Sequence, residues 1–124
     1  MKAIQTTNAP AAIGPYSQAI EAGGMVFVSG QVPINPETGN IEAKDIVSQT
    51  TQVLKNIGEI LKAAGLGYEN VVKTTVLLAD IQEFAAMNEV YAEFFTAPYP
   101  ARAAFEVGAI PKGAKVEIEA VAVR

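Results

Sequence analysis

The chain has 124 residues, half of them hydrophobic, with 9 Lys and Arg against 13 Asp and Glu and a formal net charge of −4; this describes one globular domain spanning residues 1–124. It contains no Cys and no His, which removes disulfides, thiolate nucleophiles, imidazole bases and zinc sites built on either ligand. No run of about 18 apolar residues marks a membrane span, the opening MKAIQTTNAP lacks the apolar stretch of a secretory signal, and a pI near 4.8 makes nucleic acid a poor partner.

What remains for acid–base work is Asp, Glu, Lys, Tyr or water held by backbone groups. The lack of Cys fits a reducing, cytoplasmic compartment, though not that one alone.

Along the chain, residues 2–6 read as a short edge strand. A Gly-Pro turn at Gly14-Pro15 precedes a strand from about Tyr16, and Gly23-Gly24 turns it back into MVFVSGQ. Met25 to Val28 is continuously apolar, as in a strand buried on both faces. VPINPETGN, with two prolines, reads as a loop.

From about Ala43 to Ala64 the apolar residues Ile46, Val47, Val53, Leu54, Ile57, Ile60, Leu61 and Ala64 recur at intervals of three and four, which predicts an amphipathic helix stopped by Gly65. Residues 71–79 are rich in β-branched side chains and predict a central strand. Asp80 and Glu83 have the look of a capping box for a second helix, whose apolar face is Phe84, Met87, Tyr91, Phe94 and Phe95 and which cannot pass Pro98 and Pro100.

Residues 101–107 and 115–124 supply two further strands. In the last, Val116, Ile118, Ala120 and Ala122 share one face, and Glu117, Glu119, Val121 and Val123 share the other. The order β-β-β-α-β-α-β-β predicts an α+β fold, a mixed sheet with both helices on one face. The second face would then carry apolar residues with nothing over them, which points to a homo-oligomer. A sheet curled enough to bury itself is the alternative.

Arg102 stands among small residues in a mostly apolar strand, where a guanidinium fork matches a carboxylate; an edge-strand arginine in solvent or in an ion pair has the same pattern. Glu117 lies on the mixed face of the last strand, where an apolar surround can raise a carboxyl pKa and make it an acid or base. Alternating Glu residues on a solvated face, or a plain Arg102–Glu117 ion pair, would read alike. Tyr16 in GPYSQ and Ser29-Gly30 in VSGQ place hydroxyls beside glycine, where a ligand oxygen can approach the backbone, but such pairs are common in turns. Asn88 can bond outward from the second helix, although a mid-helix Asn is more often simply exposed. No phosphate loop, dinucleotide fingerprint or metal-ligand spacing is present.

Taken together, IGPYSQAI (13–20), VSGQVPINPETG (28–39), VVKTTVLLADIQEFAAMNEVYAEFF (71–95), PARAAFEV (100–107) and VEIEAVAV (116–123) strongly resemble the RidA/YjgF family over essentially the whole chain. The resemblance implies a chorismate-mutase-like α+β fold, a homotrimer with ligand clefts between subunits, and a cofactor-independent enamine/imine deaminase without a metal. Its substrates would be imino or enamino acids such as 2-aminoacrylate and 2-iminopropanoate, released by pyridoxal-phosphate enzymes and hydrolysed to 2-oxo acids and ammonia. It further implies that Arg102 grips the substrate carboxylate, that Glu117 orients or activates water, and that Tyr16, Ser29 and Gly30 line the cleft. Many relatives read P-A-R-S-C where this chain reads PARAA, so Ala104 takes the place of a cysteine in the implied substrate-binding set: no thiol contributes, and activity survives if only the backbone there bonds ligand or water but is weakened if the thiol matters chemically. The segment before PAR, Thr96 to Tyr99, is also short. Competing readings are a non-catalytic trimer that binds small carboxylates and regulates partners, and an endoribonuclease or translation inhibitor, against which the acidic pI and missing His weigh.

Overall fold

Eight elements follow one another as β1 (Lys2–Ile4), β2 (Ala19–Ala22), β3 (Met25–Gln31), α1 (Ile46–Ala63), β4 (Val71–Leu78), α2 (Phe84–Phe94), β5 (Ala101–Glu106) and β6 (Val116–Val123) in a computed structural model describing all 124 residues. This is the expected order. The strands form one six-stranded sheet ordered β1-β2-β3-β6-β4-β5. Only the β4–β5 pair is parallel, so the sheet is mixed.

The pattern of β6 explains the layering. Val116, Ile118, Ala120 and Ala122 are buried, whereas Glu117, Glu119, Val121 and Val123 point away from the core. The buried set packs with Val26 and Val28 of β3, Val76 and Leu78 of β4, Val53, Leu54, Ile57, Ile60 and Leu61 of α1, and Met87, Val90 and Tyr91 of α2 in one cluster. Both helices therefore cover the same face.

The helix ends follow from local chemistry. Asp45 caps α1 through a 2.8 Å hydrogen bond from the Ser48 amide, so the helix starts at Ile46 rather than near Ala43. At the far end Gly65 adopts φ 77°, and the amides of Gly65 and Leu66 return to the carbonyls of Lys62 and Leu61 at 2.9 and 2.8 Å. Asp80 accepts from the Gln82 amide and opens a short 3₁₀ turn, Ile81–Glu83, instead of capping α2 directly. Phe95 lies just past α2 in extended backbone, still buried.

Two expectations are corrected. The strand expected from Tyr16 begins at Ala19, because residues 11–18 are irregular and held by the buried Gln18, whose amide takes the Thr6 N–H at 2.8 Å and donates to the Pro10 carbonyl at 2.8 Å. The stretch Met25 to Val28 is buried on one face only: Val26 and Val28 lie under the helices, but Phe27 is 44% exposed. Phe105 and Val123 are 48% and 39% exposed. By strand register Phe27, Phe105 and Val123 share the face away from the helices, so that face is apolar and uncovered in the single chain.

Gly58, inside α1, is a packing requirement. The Tyr68 hydroxyl donates to the Leu54 carbonyl at 2.6 Å, and its ring stands edge-on to Phe94 and Phe95. A methyl group at position 58 would overlap that hydroxyl. In an open helix Gly→Ala stabilises by up to about 1 kcal/mol. Here overpacking reverses the sign, and Gly58→Ala lowers stability by about 1–3 kcal/mol in denaturant unfolding. In a Tyr68→Phe background the same substitution costs less.

Candidate active site

Arg102 lies on the edge strand β5, in parallel register with Thr74 of β4. Thr74 is buried, and its hydroxyl shares a 2.7 Å hydrogen bond with the Tyr91 phenol of α2, so Arg102 is on the helix side of the sheet. Its Nη1 donates to Asn88 Oδ1 at 2.7 Å. The guanidinium carbon stands 4.7 Å from the Tyr91 ring centre and 5.3 Å from that of Phe84. Stacking on two rings fixes the plane of the fork while leaving its donor edge open.

No carboxylate pairs with Arg102; the chain's salt bridges are Lys115–Glu83 and Arg124–Glu21. The guanidinium looks into a cavity of about 440 Å³ shared with Asn88, Tyr91, Ala92, Tyr99 and Pro100. Burial pushes the Tyr91 phenol above its usual range, against the opposing pull of the Thr74 hydrogen bond and the Arg102 charge. The phenol thus stays neutral beneath the cation.

For Asn88 the structure selects the bonded alternative. It is half-buried and engaged, not merely exposed, because it lies between Phe84 and Tyr91 on the stripe of α2 that meets β5. Phe84 and Tyr91, read from sequence as core, also form the platform for Arg102. The signal was present: a lone amide interrupts an apolar stripe at positions four and three residues from its neighbours. Ala104 follows two residues after Arg102 on the same face, opposite Val76 and packed against the core.

Glu117 is elsewhere. It pairs with Leu77 of β4 on the outer face of the sheet. The Arg102–Glu117 ion pair that the sequence left open is absent, since the two side chains leave opposite faces. The Glu117 carboxylate is half-buried, has no hydrogen-bond donor or cation from the protein, and lies against Gly30 of β3. Burial, reinforced by the like charge of Glu119, holds its carboxyl above the usual carboxylate range.

Ser29 precedes Gly30 in β3, and Tyr16 lies in the irregular segment before β2. The Ser29 hydroxyl donates to the Ser17 carbonyl at 2.6 Å and its amide to the Gln18 carbonyl at 3.0 Å, so the hydroxyl offers a ligand an acceptor rather than a proton. Tyr16 is exposed at the rim of a separate cavity of about 460 Å³ walled by Thr6, Ala9, Gln18 and Pro36. One chain therefore carries Arg102 with Ala104 on the helix side of the sheet and Glu117 with Gly30, the residue after Ser29, on the outer side, while Tyr16 stands at the rim of a separate cavity. No group of three or more acidic side chains is arranged to hold a metal ion, and no helix is long and apolar enough to cross a membrane.

Comparison with known proteins adds to this geometry. Residues 6–124 match the family described as endoribonuclease L-PSP. The chain is 54% identical over 123 residues to the 2-iminobutanoate/2-iminopropanoate deaminase of Mus musculus, a match covering 99% of this chain and 91% of the mouse protein. The structure of the YjgF gene product of E. coli matches with a TM-score of 0.95 at 50% identity, over 100% of this chain and 99% of that one. E. coli TdcF, solved with bound serine, matches with a TM-score of 0.95 at 47% identity, over 100% and 99% of the two chains. The chain belongs to the endoribonuclease L-PSP family, the RidA/YjgF family whose motifs its sequence carries.

Proposed function

We propose that the protein is an enamine/imine deaminase that hydrolyses 2-aminoacrylate, 2-iminopropanoate and similar intermediates to 2-oxo acids and ammonia. The observation that carries this reading is Arg102: a guanidinium without a carboxylate partner, set on two aromatic rings at the wall of a cavity. Such a fork takes a substrate carboxylate through two parallel charge-assisted hydrogen bonds. The mouse relative's name and the serine in TdcF, itself an amino acid with a carboxylate, support that choice of ligand. A net charge of −4 and the absence of His do not favour RNA cleavage.

The chemistry asks little of the protein beyond placement. Water adds through oxygen to the electrophilic imine carbon as the C=N electron pair moves to nitrogen, which takes a proton. The carbinolamine then loses ammonia as its hydroxyl proton leaves and the C=O bond forms. Glu117 takes one water proton in the first step and the hydroxyl proton in the second and hands each to the nitrogen, so both protons of the water end on ammonia and the carboxyl is unchanged over a cycle. Arg102 holds the substrate in line for that attack. Tyr16, Ser29 and the Gly30 backbone line the same cleft. Ala104 brings a methyl group and no thiol to it. The setting is cytoplasmic, beside the pyridoxal-phosphate enzymes that release these imines.

Because Arg102 and Glu117 leave opposite faces of one sheet, a complete site takes the arginine from one subunit and the glutamate from the next. The apolar outer face supports the same homotrimer, since a second copy covers Phe27, Phe105 and Val123.

Three outcomes are expected. With 2-aminoacrylate generated in situ, Arg102→Ala lowers kcat/KM for pyruvate formation by about a hundredfold, about 3 kcal/mol of lost carboxylate binding, and Arg102→Lys restores little because a point charge cannot replace the fork. Wild-type turnover by Arg102→Ala would end the assignment. Co-expressing Arg102→Ala with Glu117→Gln regains about a quarter of wild-type activity, because in randomly mixed trimers a quarter of the clefts combine an intact arginine with an intact glutamate; a site within one subunit regains none.

The third outcome concerns pH. Glu117 must be ionised to accept a proton, so kcat/KM falls as the pH drops through its raised pKa. Removing the like charge with Glu119→Gln lowers that pKa and moves the acid limb to lower pH. Comparing the two profiles cancels titration of the substrate, and an unmoved limb would take Glu117 out of the proton transfer.

A further inference from the structure

Ten glycines occur in the chain, and six of them need glycine for a positive φ. Gly30 is not among those six, so its backbone would accept any residue. It lies in β3 where the register against β6 shifts between Val28 and Gln31. A Cβ built on it would overlap the Glu117 carboxylate oxygen Oε2, 3.1 Å from the carboxyl carbon and 3.3 Å from Cγ. The three atoms nearest to that Cβ all belong to Glu117.

The Glu117 carboxylate, meanwhile, has no protein donor holding it. On that face Leu77 of β4 is opposite it, Gly30 of β3 lies against it and Glu119 follows on its own strand; the β4 cation of that face, Lys73, is opposite Val121, four residues further along β6. Within one chain, attraction therefore does not fix this carboxylate. Its position depends on the space left by a missing side chain.

We infer that Gly30 is a positioning residue for the proposed reaction: the bare backbone at Gly30 is the seat on which the Glu117 carboxylate lies, and any side chain there lifts the carboxylate off the sheet and away from the water it must hold. The inference rests on the proposed role of Glu117, and it gives Gly30 a function separate from close approach of a ligand to its backbone. A misplacement of about 1 Å costs on the order of a hundredfold in rate, so a methyl group at this position is felt in kcat.

The test is a cycle of Gly30→Ala, Glu117→Ala and the double variant, each measured for imine hydrolysis and for thermal unfolding. Gly30→Ala alone lowers kcat by about tenfold to a hundredfold with KM changed less than about threefold, since the Arg102 anchor is untouched. In the Glu117→Ala background it lowers kcat no further. Its effect on Tm, present in the native chain, also disappears there, because the methyl group then has nothing to displace. Should Gly30→Ala fail to fold, recovery of folding in the double variant supports the seat, and failure in both overturns it. An additional tenfold loss in the double variant overturns it as well, since Gly30 would then serve something other than Glu117. If Glu117→Ala alone keeps full turnover, the proposed role of Glu117 fails, while the unfolding cycle still decides whether Gly30 seats its carboxylate.

Discussion

β6 sits inside the sheet, bonded to β3 on one side and β4 on the other, and its two-residue period separates two environments along its whole length. Inward, Val116, Ile118, Ala120 and Ala122 close the core beneath both helices; outward, Glu117, Glu119, Val121 and Val123 make a surface half charged and half apolar. A one-residue slip would bury two carboxylates and expose the core set, so register here is strongly enforced. Everything that positions chemistry in the molecule is referred to this strand. Glu117 is on the outer face because Ile118 must be inside. β4 pairs with it in the register that turns Thr74 inward, and Thr74 carries Arg102 with it through the parallel β4–β5 pairing.

The consequence for Arg102 is an unusual balance. It is an exposed cation on the helix side of the edge strand with no anion beside it; solvent hydrates it, and two ring faces and one amide oxygen fix where it stands. A carboxylate neighbour would have satisfied it more simply. It would also have removed its capacity to take a ligand, since a neutralised fork has no unmet donors. Tyr91 serves both layers: its phenol is bonded to buried Thr74 while its ring faces the guanidinium. Core packing and the anchor of the proposed site therefore meet in one side chain, so that anchor needs no loop to hold it.

How much of this was legible in the sequence depended on the range of the interactions. Helix α1 and strand β6 were readable almost residue by residue, because 3.6- and 2-residue periods with strong apolar contrast are local signals. The segment before β2 was not. Residues 11–18 are irregular because Gln18 reaches back to Thr6 and Pro10, a side-chain-to-backbone bond that no local propensity encodes. The chemical character of Arg102 and Glu117 was visible as residue type in context, yet their separation onto opposite faces was not. The side of Glu117 follows from alternation, but that of Arg102 follows from how β5 pairs with β4, a tertiary fact. For the same reason the sequence could not choose between a bonded and a free Asn88: its partner is fourteen residues away, on strand β5.

The opposite faces also bear on why a chain without His or Cys can support hydrolysis. An imine carbon needs no metal and no strong nucleophile, only a fixed carboxylate, a held water and a place for one proton. Arg102 and Glu117 have those capacities, and neither can act on the other's ligand within a single chain. The same chain leaves Phe27, Phe105 and Val123 uncovered on the face that carries Glu117. In the proposed assembly one event answers both deficits: burying that apolar surface against a neighbour is what sets a glutamate before another subunit's arginine. Stability of the assembly and completion of the site are then linked in both directions. A substitution that weakens the apolar contact lowers turnover without touching a catalytic group, and a ligand bridging arginine and glutamate strengthens the association by mass action.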